Sequence, residues 1–386
     1  MSLTGSFFLD GVVVLTVAAF LGLVWVWPRL TSRTPWHVVG RMASLVLVNV
    51  LVLLTAATQL NSAYLFFASW ADLQGAISGH IVQTGLDRGG AAALAPNVAV
   101  RGEAAKVAAH VPVLLQRVGA NGLLSYTVHG ALSGLSGTVL VQLPRDYTSA
   151  ATSTQRYPVL EAFHGYPSVP LNWVKVFDIG HAIDQQVQAH TLHPTLVVMP
   201  QIEMPRGLDT EGVNGGPGQP QVETWLTRDV PDWVAQHFRV IANRNAWAAV
   251  GYSTGGFDAA MSTILHLAQY GAGIILGGYF RPEFGPFYEP FSATSPAGRR
   301  YDLPRVVAHH APPVSLWVET SHADAVSYSS SARFLRSTKS PMAVHGVVLQ
   351  NAGHRDWVWI ALLPQALRWL GTNVHGFQPA PVSASS

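Results

Sequence analysis

The sequence predicts an α/β protein, a mostly parallel sheet with helices on both faces, preceded by two transmembrane helices. Three observations carry this reading. From Leu123 onward, short β-like apolar runs alternate with helix-like runs, as in a sheet whose strands are joined by helical crossovers. Two long uncharged apolar stretches open the chain. The pentapeptide Gly251-Tyr252-Ser253-Thr254-Gly255 lies between a strand-like run and a helix-like run, a context in which Gly-x-Ser-x-Gly forms a sharp turn that presents the serine.

The N-terminal elements come first. Of 386 residues only 11% are charged, against about 25% in ordinary soluble domains. Gly11 to Trp27 carries no charge, and neither does Met42 to Trp70. A bilayer crossing needs about 17 to 25 apolar residues, so each stretch suffices. A buried soluble helix is the alternative for each; two in tandem at the start of the chain favour the membrane. The link Pro28 to Arg41 holds Arg29, Arg33 and Arg41 and no acid, while Asp10 and Asp72 lie on the outer flanks. The positive-inside rule then puts the link in the cytoplasm and everything after Trp70 outside. A cleaved leader is disfavoured, because no Lys or Arg precedes the first run and no small-residue cleavage site succeeds it. The expected organisation is a two-helix, multi-pass anchor over 1–75 that contacts membrane lipids. After it come an Ala- and Gly-rich connector over 76–110, an α/β domain over 111–373 and a flexible Pro-, Ala- and Ser-rich tail over 374–386.

Within the α/β domain the β-like runs are Leu123–Val128, Thr138–Leu143, Val159–Phe163, Leu196–Met199, Trp247–Val250, Ile274–Leu276, Val314–Val318 and Val344–Leu349. Several are apolar throughout, as expected of strands covered on both faces. The first two, joined by Gly and Ser, read as an antiparallel lead-in. Helical candidates are Glu223–His237, Phe257–Gln269, Ser329–Leu335 and Trp357–Leu370, the last closed by Gly371.

Composition excludes several chemistries. There are no cysteines, hence no disulfide, thiolate ligand or thiol nucleophile. A net charge of +2 and the lack of a basic cluster interleaved with aromatics argue against nucleic acid. No His-Glu-x-x-His spacing or phosphate-binding Gly-Lys loop occurs, so neither a metal nor a cofactor is expected. The adjacent His309 and His310 would diverge on a strand.

A serine hydroxyl becomes a nucleophile when a histidine takes its proton and a carboxylate orients that histidine. In strand-turn-helix enzymes of this kind the order is Ser, acid, His. Ser253 fills the first place. His354 comes after the last β-like run in Gln350-Asn351-Ala352-Gly353-His354, where the base belongs; an exposed loop histidine is the bland alternative. Three carboxylates compete for the acid. Asp324 lies in the loop Ser321-His322-Ala323-Asp324, Glu319 ends the preceding β-like run, and Asp356 lies just past His354. They rank in that order, although Asp324 could equally cap a helix. The oxyanion donors would be the Thr254 amide and the Tyr166 amide in the turn His164-Gly165-Tyr166-Pro167. The long Gly-rich loop Gly207 to Pro220 is expected near the site. Trp173, Trp225 and Tyr279 read first as core.

The set Val159 to Tyr166, Gly251 to Gly256, the Asp324 loop, and Gly353-His354 with Trp357 resembles the esterase family that includes esterase D-type enzymes (S-formylglutathione hydrolases) and the secreted mycolyltransferases of actinobacteria. Ser133-Gly134, Thr138 to Pro144 and Tyr147 are similar to that family's lead-in hairpin. The resemblance spans about Leu123 to Gly371 and implies an α/β-hydrolase fold with nucleophile Ser253, base His354 and oxyanion donors Tyr166 and Thr254. The acid is its loosest carry-over. The two-helix anchor is unlike the soluble members and similar to membrane-tethered ones. The reading is therefore an extracytoplasmic serine esterase or acyltransferase acting on ester or acyl-lipid substrates. The rival is a non-catalytic envelope protein that uses a hydrolase scaffold to bind lipid or protein.

Overall fold

The computed structural model describes residues 5–32, 34–64, 67, 70, 73–74, 83–88, 122–285 and 287–380. The chain divides into two compact units. One comprises Met1–Val82 with His322–Ala325 and Gln350–Arg355; the other comprises Gln83–Ser321, Val326–Leu349 and Asp356–Ser386.

In the first unit, α1 (Ser6–Val26) and α2 (Pro35–Tyr64) are joined by a 3-10 turn at Trp27–Leu30. They lie antiparallel: Thr16 and Thr55 hydroxyls meet at 2.8 Å, and Phe8 packs edge-on against Trp70. Val12, Leu51 and Thr58 are buried along this seam, whereas Leu21, Trp25, Met42 and Leu53 are exposed. Ser6–Leu30 and Pro35–Ser62 are long and apolar enough to cross a membrane, judged by length and composition. Both helices start before the uncharged windows read from sequence, and Asp10, expected as a flank, sits inside α1. Helix formation tolerates one exposed carboxylate that a charge-free window does not. Asn61 brackets Phe67, donating to its carbonyl at 2.9 Å and accepting its amide at 2.7 Å. The Arg355 guanidinium stacks over the Phe67 ring at 4.5 Å, a cation–π contact.

The second unit is built on a nine-stranded sheet: β1 (Gln83–Arg88), β2 (Leu123–His129), β3 (Ser136–Gln142), β4 (Val159–Phe163), β5 (Leu196–Pro200), β6 (Trp247–Tyr252), β7 (Ala272–Leu276), β8 (Ser315–Ser321) and β9 (Ala343–Leu349). The order is β1-β9-β8-β7-β6-β4-β5-β3-β2. Strands β5, β4, β6, β7, β8 and β9 are parallel; β2, β3 and β1 are antiparallel additions. Every residue of β4 to β8 is buried, which accounts for their continuous apolar character. The longer helices are α3 (Ile179–Gln188), α4 (Val230–His237), α5 (Thr254–Leu265), α6 (Pro296–Tyr301), α7 (Leu303–His309), α8 (Tyr328–Ser337) and α9 (Asp356–Asn373). One buried cluster gathers Phe163, Val198, Trp225 and Trp247, another Phe257, Phe280, Leu316 and Phe334.

Two buried acids are resolved differently. Glu161, fully buried in β4, accepts the Tyr270 hydroxyl at 2.6 Å, its one side-chain hydrogen bond among the described residues. Burial raises its carboxyl from 4.5 to about 8 despite that bond. For Glu223 burial also pushes upward, but His266 (2.7 Å), Arg300 and Tyr301 outweigh it and bring the carboxyl down to about 2. That cluster ties the turn before α4 to α6.

Several elements differ from the sequence reading. Residues 83–88, assigned to the 76–110 connector, form β1 against β9; the rest of that connector lies outside the described residues. The helix expected over Glu223–His237 is broken into Val222–Thr224, a π-helical turn Trp225–Asp229, and α4. His309 and His310 lie at the end of α7, not on a strand. The tail assigned to 374–386 begins with a 3-10 turn, His375–Phe377, whose Phe377 is fully buried; residues 381–386 lie outside the description.

Candidate active site

Strand β6 delivers Ser253. Its last residue is Tyr252, and α5 starts at Thr254, three residues before the helix read from sequence. Ser253 has φ 56° and ψ −125°, a left-sided conformation that L-residues avoid. Such strain persists only where its surroundings enforce it. Two glycines make the turn possible: a Cβ on Gly251 would lie 1.8 Å from the Gly255 carbonyl oxygen, and one on Gly255 would lie 2.2 Å from the Phe163 carbonyl oxygen. The Ser253 amide donates to Leu276 at 3.0 Å, fastening the turn to β7.

The loop after β4 comes to the same place. Phe163 pairs with Gly251 in register, so the residues beyond them are neighbours. A Cβ on Gly165 would be 3.2 Å from Ser253 Cβ. Tyr166 comes directly after, with a cis bond to Pro167. His164 pins this loop from within. It is buried, its Nδ1 donates to the Gly165 carbonyl at 2.8 Å, and its Nε2 accepts the Ile202 amide at 3.3 Å. Burial lowers it to about 4, so it is a neutral structural imidazole, a role the sequence reading missed. Glu203 adds a second pin, accepting the Ser168 and Gly207 amides. Among the described residues, neither the Tyr166 nor the Thr254 amide donates to a backbone acceptor.

Strands β8 and β9 run parallel to β6 through β7, so all three end at one sheet edge. Asp324 and His354 come after β8 and β9 in the chain. Both belong to the first unit, and Ser253 to the second. The structure brings Asp324 and His354 together: His354 Nδ1 donates to Asp324 Oδ2 at 2.9 Å, with both side chains largely buried. With Nδ1 protonated, Nε2 is the basic nitrogen. Glu319 lies within β8, buried, and accepts the Gly277 amide at 2.8 Å. Asp356 opens α9 and is exposed. Of the aromatics, Trp173 packs on Tyr252 at 5.2 Å, Trp225 donates to the Gln201 carbonyl, and Tyr279 reaches the Thr254 hydroxyl. The long loop is folded in, with Thr210, Glu211 and Val213 buried. No cluster of three His, Asp or Glu side chains able to hold a metal occurs among the described residues.

Comparison with known proteins agrees with this architecture. The model of the family Esterase, described as "Putative esterase", matches residues 133–370. Curated proteins yield no match. Among solved structures, an S-formylglutathione hydrolase from Agrobacterium tumefaciens superposes with TM-score 0.56 at 16% identity, over 66% of this chain and 97% of its own. A fluorophosphonate-binding serine hydrolase of Staphylococcus aureus gives 0.53 at 18%, over 65% and 99%. MPT51 of Mycobacterium tuberculosis gives 0.50 at 14%, over 66% and 100%. At these identities the structures speak for the fold. The family match spans well over half of the sequence, and this protein belongs to the Esterase family.

Proposed function

We propose that this chain is a membrane-anchored, extracytoplasmic serine esterase or acyltransferase for lipid or acyl-sugar esters. Ser253 is its nucleophile, His354 its base and Asp324 its acid. The observation that carries the reading is Ser253 itself, held in a strained conformation between β6 and α5, because such strain marks functional turns. The Asp324–His354 bond supports the assignment of base and acid. The apolar helices and the arginines between them support the anchor.

In the reaction, Ser253 Oγ attacks the ester carbonyl carbon while His354 Nε2 takes its proton. Asp324 holds the imidazole tautomer and stabilises the imidazolium. The carbonyl oxygen becomes an oxyanion facing the Tyr166 and Thr254 amides. One such donor contributes about 2.7–4 kcal/mol to the transition state. The C–O bond to the leaving alcohol breaks, and that oxygen takes the proton from His354. Water, or a sugar hydroxyl, then gives its proton to His354 as it attacks the acyl carbon, and the bond from that carbon to Ser253 Oγ breaks as Oγ takes the proton back from His354.

The test uses the full chain in detergent with p-nitrophenyl butyrate and a fluorophosphonate probe. Parent protein should label and turn over; Ser253→Ala should do neither. Equal labelling and turnover by Ser253→Ala would refute the mechanism, and a folded parent that does neither would favour the non-catalytic scaffold.

A further inference from the structure

The serine that serves as nucleophile also occupies the N-cap position of α5. A serine there ordinarily bonds an amide of the first helical turn and holds that turn together. Ser253 makes no such capping bond. The turn closes on the Ser253 carbonyl, which accepts the Gly256 and Phe257 amides at 2.9 and 3.3 Å; what remains is a means of fixing its first amide, Thr254, the one the mechanism needs in place.

The Thr254 side chain, buried, offers the means. Its Oγ1 lies 3.0 Å from the Tyr279 hydroxyl, which lies 2.7 Å from Glu211 Oε1. Tyr279 and Glu211 are both buried. Glu211 sits on the long loop between β5 and α4 with φ 51°, another left-handed non-glycine residue. Its neighbours fix that loop independently: Val213 is wholly buried, and the Asn214 amide donates to Tyr301. Burial, reinforced by Asp209, raises Glu211 well above the usual carboxylate range. In either protonation state the three groups bond end to end. An ionised Glu211 draws the protons from Thr254 through Tyr279 toward itself, and a neutral one sends them the other way.

We propose that Tyr279 and Glu211 are positioning residues that anchor Thr254 from the long loop, replacing the cap Ser253 gives up and holding the Thr254 amide on the oxyanion. This inference rests on the serine mechanism proposed above. Both ends of this hydrogen-bonded chain lie in the second unit, and 68 residues of sequence separate Glu211 from Tyr279.

The experiment compares full-length Tyr279→Phe, Glu211→Gln and Glu211→Met with the parent, using p-nitrophenyl butyrate and an alkyl boronic acid. Tyr279→Phe keeps the ring stacked on Phe257 and loses only the hydroxyl. A fully lost oxyanion donor lowers kcat by about 10²–10³, so a loosened one should lower it by about tenfold. KM should stay within about twofold. Boronate affinity should fall by the same factor as kcat, because the tetrahedral adduct places an oxygen where the oxyanion forms. Glu211→Met should behave likewise; Glu211→Gln, which keeps an acceptor, should recover most of the loss. Unchanged kcat and boronate affinity in a folded Tyr279→Phe, or a rise in KM alone, overturns the proposal. If Tyr279→Phe does not fold, Thr254→Val removes the other partner of the same bond and is judged by the same criteria. Failure of the serine mechanism is distinguished by the Ser253→Ala result, which does not involve these variants.

Discussion

Replacing Glu161 by Gln should change how the stability of this esterase responds to pH, in a way the structure quantifies. The carboxyl is raised from 4.5 to about 8. Between those values the folded state keeps a proton that the unfolded chain releases, so stability falls as pH rises through the window and levels off above it. At about 1.36 kcal/mol per unit, the fall across the window is about 5 kcal/mol, with about 2 kcal/mol of it between pH 6.5 and 8. The upper part of the window is the informative one. His164, lowered from 6.5 to about 4, has the opposite slope: its contribution is lost as pH falls from 6.5 toward 4, and it is silent above 6.5. Asp209, raised to about 6, is also silent above 6.5. Glu211 and Asp258, raised well above their usual range by burial, contribute equally to parent and variant and cancel in the difference. Gln retains an acceptor for the Tyr270 hydroxyl. Urea unfolding of the full chain in detergent, monitored by tryptophan fluorescence at pH 6.5 and 8, gives the comparison. Relative to the parent, Glu161→Gln should gain about 2 kcal/mol between these two pH values. Parallel pH profiles for the two proteins would refute the argument.

Two further predictions concern the other acids. Asp324→Asn should lower kcat for p-nitrophenyl butyrate by at least about a hundredfold, since it favours the wrong tautomer of His354, whereas Glu319→Gln should lower it by less than about threefold; the reverse order in steady-state kinetics would transfer the role of acid to Glu319. Glu223→Ala should destabilise the fold by about 3 kcal/mol at neutral pH, because it strips a buried ion cluster of its centre. The stabilisation from Glu223 should be present above pH 4.5 and lost as pH falls toward its depressed value of about 2, which acid unfolding of parent and variant will show.

The parallel centre of the sheet is legible in sequence because burial on both faces demands apolar residues at every position: β4, β6 and β7 read as strands at sight. The fold class emerges from their alternation with helices. Strand β1 does not, because its sequence Gln-Thr-Gly-Leu-Asp-Arg is polar and its pairing with β9 is written far away in the chain. Helix α5 reads three residues short, since Gly255 and Gly256 have poor helix propensity; close contact with β4 and with the turn after β7 overrides it. The Gly-x-Ser-x-Gly motif points to Ser253, and strand order to Asp324 and His354. The support from Tyr279 and Glu211 leaves no trace, because no periodicity links residues that meet only through the fold.

The place of β1 also bears on how this protein can be shortened for study. Without Gln83–Arg88, Val344 to Leu349 would present a row of bare amides and carbonyls on an apolar strand, a template for edge-to-edge aggregation. A fragment begun at Leu123, where the alternating pattern starts, would carry that liability. One begun at Gln83 would retain the polar selvedge that seals the sheet.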